Sequence, residues 1–160
     1  MAVAFTKEDS AETASETQLP DRPISPEQNL VTATGLAALQ SALDAARVAY
    51  DAAQTIDDIN ERRRASAVPF RDLRYFAERV RTAQLMPAPA STETVAFGST
   101  VTFARNDGAE RTYRIVGEDE ADPKSGTISW VAPVARALAG KSVGDEVILG
   151  DQTLEITLIA

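Results

Sequence analysis

The sequence predicts an α+β fold in two parts, and three observations carry that prediction. Apolar residues recur at helical spacing from Leu36 to Ala53 and again from Phe70 to Ala83. From Val95 onward the pattern changes to period two, as strands require. A short run, Pro133-Val134-Ala135-Arg136-Ala137-Leu138, reads as one helix set among those strands. The expectation is an N-terminal antiparallel helical hairpin, then a C-terminal antiparallel sheet with one short helix.

The first seam is Leu36, Leu39, Leu43, Ala46, Tyr50 and Ala53, with steps of 3, 4, 3, 4 and 3. Such a narrow stripe is the a/d face of a coiled coil. Thr32 or Thr34 is suited to cap its start. The second seam is Phe70, Leu73, Phe76, Val80 and Ala83. Pro69 suits the first turn of that helix, where a missing N–H costs nothing. Met86-Pro87-Ala88-Pro89 ends it. The connection is expected near residues 57–66, with residues 30–87 forming the hairpin.

Residues 91–160 make the second part. Thr100-Val101-Thr102-Phe103 alternates, Asn106-Asp107-Gly108 turns, and Thr112 to Val116 returns. Thr127 to Val131 is a further strand, followed by the short helix. Gly144-Asp145 and Gly150-Asp151 turn into two more strands. Residues 1–29 are polar and acidic, with Pro20, Pro23 and Pro26 close together. Too little apolar area is present to offset ordering entropy, so a disordered tail is expected there.

Composition excludes several classes of function. The 160 residues include no cysteine and no histidine. This removes disulfides, thiol nucleophiles, His-based triads and most zinc sites. The formal net charge is −8, which disfavours stable binding to duplex DNA. No apolar run approaches the ~20 residues of a membrane span, and Met1 to Asp21 lacks the form of a signal peptide. The expected location is cytoplasmic.

Several clusters are candidates for function. Asp57, Asp58 and Glu61 lie at the predicted apex. Asp58 and Glu61 are three apart, so a helical turn brings their carboxylates to one side. Hard oxygen ligands of this kind suit Mg²⁺, but only with further ligands from a partner. The bland reading is a solvated loop. Seven of the sixteen basic residues follow within one arm, namely Arg62, Arg63, Arg64, Arg71, Arg74, Arg79 and Arg81. They read either as a stripe for phosphates or an acidic wall, or as a solvated face pairing with Asp44 or Asp51. Glu118-Asp119-Glu120 with Asp122 lacks the EF-hand spacing and reads as an acidic turn. Trp130, the only tryptophan, is either core or a partner-facing anchor.

The order of these parts resembles the GreA/GreB transcript cleavage factors. The similarity is most specific at Arg114-Ile115-Val116-Gly117, Asp119-Glu120, Ala135-Arg136-Ala137-Leu138 and Val143-Gly144-Asp145. Asn29 to Leu36 resembles the family's start, and Leu73-Arg74-Tyr75-Phe76 an element of the GreB branch. The resemblance implies an FKBP-like sheet domain that docks on RNA polymerase at the secondary channel rim. It implies a coiled coil whose tip reaches the active centre, meeting the nascent RNA 3′ end only indirectly. Aligned on the family's tip motif, Asp58 and Glu61 fall on the residues that help hold the polymerase's second Mg²⁺ and a water for RNA cleavage. Asp57 stands where the family has Gly, and Arg62-Arg63-Arg64-Ala65 replaces Asn-Ala-Glu-Tyr. The arms look about two turns shorter than the family norm, roughly 11 Å of reach. Trp130, Pro133 and Arg136 are the implied partner-binding residues, with Ala132-Pro133 standing for the family's Ser-Pro.

The resemblance therefore implies a monomeric factor that stimulates the polymerase's own cleavage of backtracked RNA, without being an enzyme itself. No tightly bound cofactor is expected, and any Mg²⁺ would be shared with the polymerase. The alternative is a channel-binding regulator without cleavage activity, similar to short-coil relatives described as nucleoside diphosphate kinase regulators. A general interaction module of the FK506-binding-protein fold, such as a chaperone, ranks last.

Overall fold

A computed structural model of the chain describes residues 19–160. In chain order the elements are β1 (Leu30–Val31), α1 (Ala33–Gln54), α2 (Ile59–Thr82), β2 (Gln84–Leu85), β3 (Thr100–Arg105) and β4 (Glu110–Val116). A 3₁₀ turn (Pro123–Ser125) follows, then β5 (Thr127–Ser129), α3 (Pro133–Leu138), β6 (Glu146–Leu149) and β7 (Gln152–Ile159). Two compact units result. One holds Leu39–Arg81 with the described residues up to Ser25, and the other holds Pro26–Ala38 with Thr82–Ala160. Residues 30–38 and 82–87, expected in the hairpin, thus group with the sheet. No helix among the described residues is long and apolar enough to cross a membrane.

In the hairpin unit, Leu39, Leu43, Ala46 and Ala53 are buried, and all four belong to the seam read from the sequence. Tyr50 and Phe70 meet with ring centroids 5.7 Å apart. Each leucine on this seam contributes about 1.5–3 kcal/mol if fully buried. The returning helix is less covered, and Phe70 is exposed.

Pro69 corrects one expectation. It lies inside α2, which starts at Ile59, and not in its first turn. The helix begins earlier because Asp58 caps it, and Asn60 to Ala67 contains good helix formers such as Arg and Ala. Interior proline costs about 3 kcal/mol by removing one intrahelical bond and crowding the preceding turn. The connection is accordingly residues 55–58, not 57–66.

The stretch expected to be a disordered tail is also corrected where it is described. Arg22 stacks its guanidinium 3.9 Å from the Tyr75 ring centroid and pairs with Asp72 at 3.3 Å. Asp21 accepts from Arg74 at 2.9 Å. These contacts supply the ordering energy that composition alone does not reveal. Residues 1–18 lie outside the described residues.

In the sheet unit, strand order is β5-β4-β3-β7-β6. Three pairings are antiparallel, but β4 and β5 run parallel, with Ile115 opposite Ile128. The sheet is therefore mixed at one edge, where a wholly antiparallel one was expected. The connection Gly117–Gly126 makes this possible by carrying the chain back alongside Arg114 instead of turning it as a hairpin. Val101, Phe103, Ile115, Leu154 and Ile156 fill one face, closed by Ala135 and Leu138 of α3. The alternation on β3 matches this core: Val101 and Phe103 are buried, Thr100 and Thr102 less so. Gly108 closes the β3–β4 turn at φ 82°, a left-handed conformation suited to glycine.

Two short strands complete this unit. β1 and β2 pair in parallel, with Gln84 N–H donating to the Asn29 carbonyl at 2.8 Å and Met86 N–H to that of Val31 at 2.9 Å. Gly117 allows the neighbouring backbone close, since a Cβ there would lie 2.4 Å from the Leu30 carbonyl oxygen.

Candidate functional site

The tip is built from the helix ends. α1 closes with Thr55 and Ile56 amides donating to the Ala52 and Ala53 carbonyls, each at 3.2 Å. Asp58 then starts α2. Its Oδ1 accepts the Glu61 backbone amide at 2.8 Å, and its carbonyl accepts the Arg62 amide at 2.9 Å. This is an N-cap, and Glu61 stands in the first turn, where a negative charge favours the helix dipole.

Arg62 fastens the loop from the other side. Its Nε donates to the Ile56 carbonyl at 2.7 Å and its Nη2 to the Asp57 carbonyl at 3.1 Å. Gln54 on α1 reaches Ser66 on α2 at 2.9 Å, and Ser66 Oγ donates to the Arg62 carbonyl at 2.7 Å. The first arginine of the basic run is therefore a structural clamp. Arg63 and Arg64 are exposed.

Asp57, Asp58 and Glu61 are all exposed at this apex, as the sequence placed them. Their fit to a metal ion is incomplete. Asp58 has already committed one oxygen to the cap, and among the described residues no three metal-ligating side chains come together as a ligand group. The tip does not form a cation cage from its own residues.

Other arm arginines pair differently from the expected Asp44 and Asp51. Arg71 meets Asp72 at 3.4 Å, Arg74 meets Asp21, and Arg81 forms two bonds to Glu78. Asp44 instead pairs with Arg47 along its own helix at 3.8 Å. A cleft of about 480 Å³ opens beside this face, lined in part by Arg22, Arg71, Arg74 and Tyr75.

The second candidate surface is α3. Pro133 is exposed at its first position, and Ala132 before it gives no side-chain cap. Arg136 is exposed on the same helix but engaged, donating to Glu27 at 3.1 Å. Trp130 is half-buried and packs against the core, with its Nε1 buried and without an acceptor among the described residues. Pro133 and Arg136 are thus offered outward, while Trp130 is turned chiefly inward.

The acidic turn has a role that sequence reading missed. Thr32 Oγ1 donates to Glu120 Oε2 at 2.6 Å and accepts the Gly35 amide at 2.9 Å. Asp122 caps the 3₁₀ turn, accepting from Lys124 N–H at 3.2 Å and Ser125 Oγ at 2.6 Å. The available signals for the helix starts were the Asp58-x-x-Glu61 spacing and a threonine just before the first seam. Nothing local signals Glu120.

These features define a two-part protein, a curled sheet unit and a helical hairpin with a capped, charged tip. The family model for the C-terminal domain of transcription elongation factors GreA/GreB matches residues 90–159. A transcription elongation factor GreA of Beijerinckia indica is 40% identical over 116 residues, 69% of this chain and 69% of its own. The chain belongs to the GreA/GreB family. A GreA of Hyphomonas neptunium is 62% identical over 53 residues, 32% of this chain and 34% of that protein. A GreB of Neisseria meningitidis serogroup B is 39% identical over 92 residues, 54% of this chain and 56% of that one. The chain thus spans between about a third and just over half of the length of these last two relatives.

Proposed function

We propose that this chain is a Gre-type transcription elongation factor that acts on RNA polymerase and is not an enzyme itself. The observation that carries the reading is the tip: a capped apex that holds Asp58 and Glu61 exposed where two helices meet. Family membership and the names of the relatives support it. The sheet unit docks, with Pro133 and Arg136 of α3 facing the polymerase near its secondary channel. The arm presents the tip toward the active centre. Helices of 22 and 24 residues extend roughly 33 and 36 Å. Asp58 and Glu61 would meet a Mg²⁺ that the polymerase itself holds, and so promote its cleavage of backtracked RNA. The same reading makes the protein a cytoplasmic monomer without stable DNA binding.

A second reading is favoured by a specific observation. Asp58 spends one carboxylate oxygen on the cap, and Arg62 places its positive charge over the apex carbonyls. A tip of that kind suits a factor that occupies the channel without supporting cleavage and competes with other Gre factors.

The experiment is RNA cleavage in stalled, backtracked polymerase complexes with wild type and the Asp58→Asn/Glu61→Gln double variant, alongside a binding assay. Cleavage that the double variant abolishes with binding intact supports the first reading. Binding without cleavage by the wild type supports the second. Absence of binding overturns both.

A further inference from the structure

We infer that Glu120 is a positioning residue for the N-cap of α1, acting from the β4–β5 connection on the Thr32 hydroxyl that closes the first turn. The acidic segment Glu118 to Asp122 is neither a metal loop by spacing nor part of the proposed docking helix. Its Glu120 nevertheless makes a short, charge-assisted bond to a buried hydroxyl. Thr32 is 4% exposed, and its Oγ1 donates to Glu120 Oε2 at 2.6 Å.

Thr32 is also the N-cap of α1. Its Oγ1 accepts the Gly35 amide at 2.9 Å, and its carbonyl accepts the Leu36 amide at 2.9 Å. One hydroxyl therefore links two partners: it donates to the carboxylate and accepts from the helix. The carboxylate orients the hydroxyl so that its lone pair faces the Gly35 amide. It also brings a negative charge to the helix N-terminus, where the dipole favours one.

Gly35 makes room for this arrangement. A Cβ at that position would lie 2.7 Å from Glu120 Oε2 and 3.4 Å from Thr32 Oγ1. Gly117, at the start of the same connection, admits the Leu30 carbonyl as closely. Two glycines, one on each side, allow the acidic connection to lie against the chain that enters α1. Residues 30–38 belong with the sheet unit, and α1 continues without a break to Gln54. Glu120 bonds to the cap of that helix from outside it. This inference rests on the sheet unit alone and not on the polymerase reading.

The test is native-state amide hydrogen exchange at Gly35, whose N–H the cap holds. Exchange should accelerate roughly fivefold in Glu120→Ala as the cap weakens, and at least as much in Thr32→Val, which removes the hydroxyl. Thr32→Ser, which keeps the hydroxyl, should restore the parent rate, and Glu120→Ala in the Thr32→Val background should add nothing further. If Glu120→Ala does not fold, Glu120→Gln, which keeps an acceptor without the charge, takes its place. Gly35 exchange in the Glu120 variants that is indistinguishable from the parent would overturn the inference.

Discussion

Asp58 Oδ1 accepts the backbone amide of Glu61 at 2.8 Å, so one carboxylate of the tip is engaged by the backbone of the residue that carries the other before any partner arrives. A pair that the spacing suggests as metal ligands is in the first place a device for starting α2. The two roles are separable by chemistry. Asn at position 58 retains a cap acceptor and loses the charge, whereas Ala loses both.

Asp58→Ala should therefore destabilise the start of α2 by about 1 kcal/mol, and Asp58→Asn by a few tenths. Amide exchange at Asn60 to Arg62 reads this directly. In the cleavage assay both variants should be equally deficient if the charge matters. Activity retained by Asp58→Asn but not by Asp58→Ala would assign Asp58 a purely structural role.

How far the sequence reveals such features depends on distance along the chain. The hairpin was legible because its seam repeats every three or four residues, and Leu39, Leu43, Ala46 and Ala53 are indeed buried. The sheet core was legible from the alternation of Val101 and Phe103 with threonines. The preference of Pro69 for a first turn points to a later start of α2, and the Asp58 cap eleven residues upstream overrides it. The parallel β4–β5 edge could not be read, since side-chain alternation is the same for either strand direction. β1 and β2 have two residues each, too few to show a period. Thr32 and Glu120 lie 88 residues apart, and neither carries a local pattern that points to the other. At the candidate site, the positions of Asp57, Asp58 and Glu61 were readable, but the engagement of Arg62 and Arg136 was not.

Arg22 gives a prediction for the segment before β1. Its guanidinium lies 3.9 Å from the Tyr75 ring centroid and 5.0 Å from that of Phe76. A stack at a partly exposed site is worth about 0.5–1 kcal/mol. Arg22→Ala should leave the melting temperature of the protein nearly unchanged. It should raise proteolytic cleavage between Leu19 and Ser25 by a non-tryptic protease. Unchanged protection would show that the segment is held by other contacts.

Acid titration probes the end of α2. Two hydrogen bonds from Arg81 hold the Glu78 carboxyl below its ordinary value of 4.5, with the guanidinium charge adding to the effect. A carboxylate whose folded value is lowered stabilises the fold fully above its unfolded value. That contribution is lost as pH falls through the folded value. The pair is exposed, so the effect should be small and should shrink further in salt. Glu78→Gln should flatten the stability profile below about pH 4.5 and change nothing at neutral pH beyond the loss of the pair. An unchanged acid limb would show that other carboxylates carry it.

Gly35 provides the sharpest test, because the expected sign of its substitution depends on a second residue. In an ordinary helix, Gly→Ala stabilises by about 1 kcal/mol, since glycine loses more backbone freedom on folding. Here the new Cβ would lie 2.7 Å from Glu120 Oε2. The Glu120 side chain is flexible and can swing away, but it then abandons the 2.6 Å bond to Thr32. A hydrogen bond to a charged group is worth about 1.5–3 kcal/mol, so losing it outweighs the gain in propensity. Gly35→Ala should therefore destabilise the parent by about 1 kcal/mol. In the Glu120→Ala background there is no carboxylate to displace, and the same substitution should stabilise by up to about 1 kcal/mol. Urea denaturation of the parent, the two single variants and the double variant measures the coupling directly. Equal effects of Gly35→Ala in both backgrounds would mean that Glu120 gives way without cost, and that the hydroxyl of Thr32 caps α1 unaided.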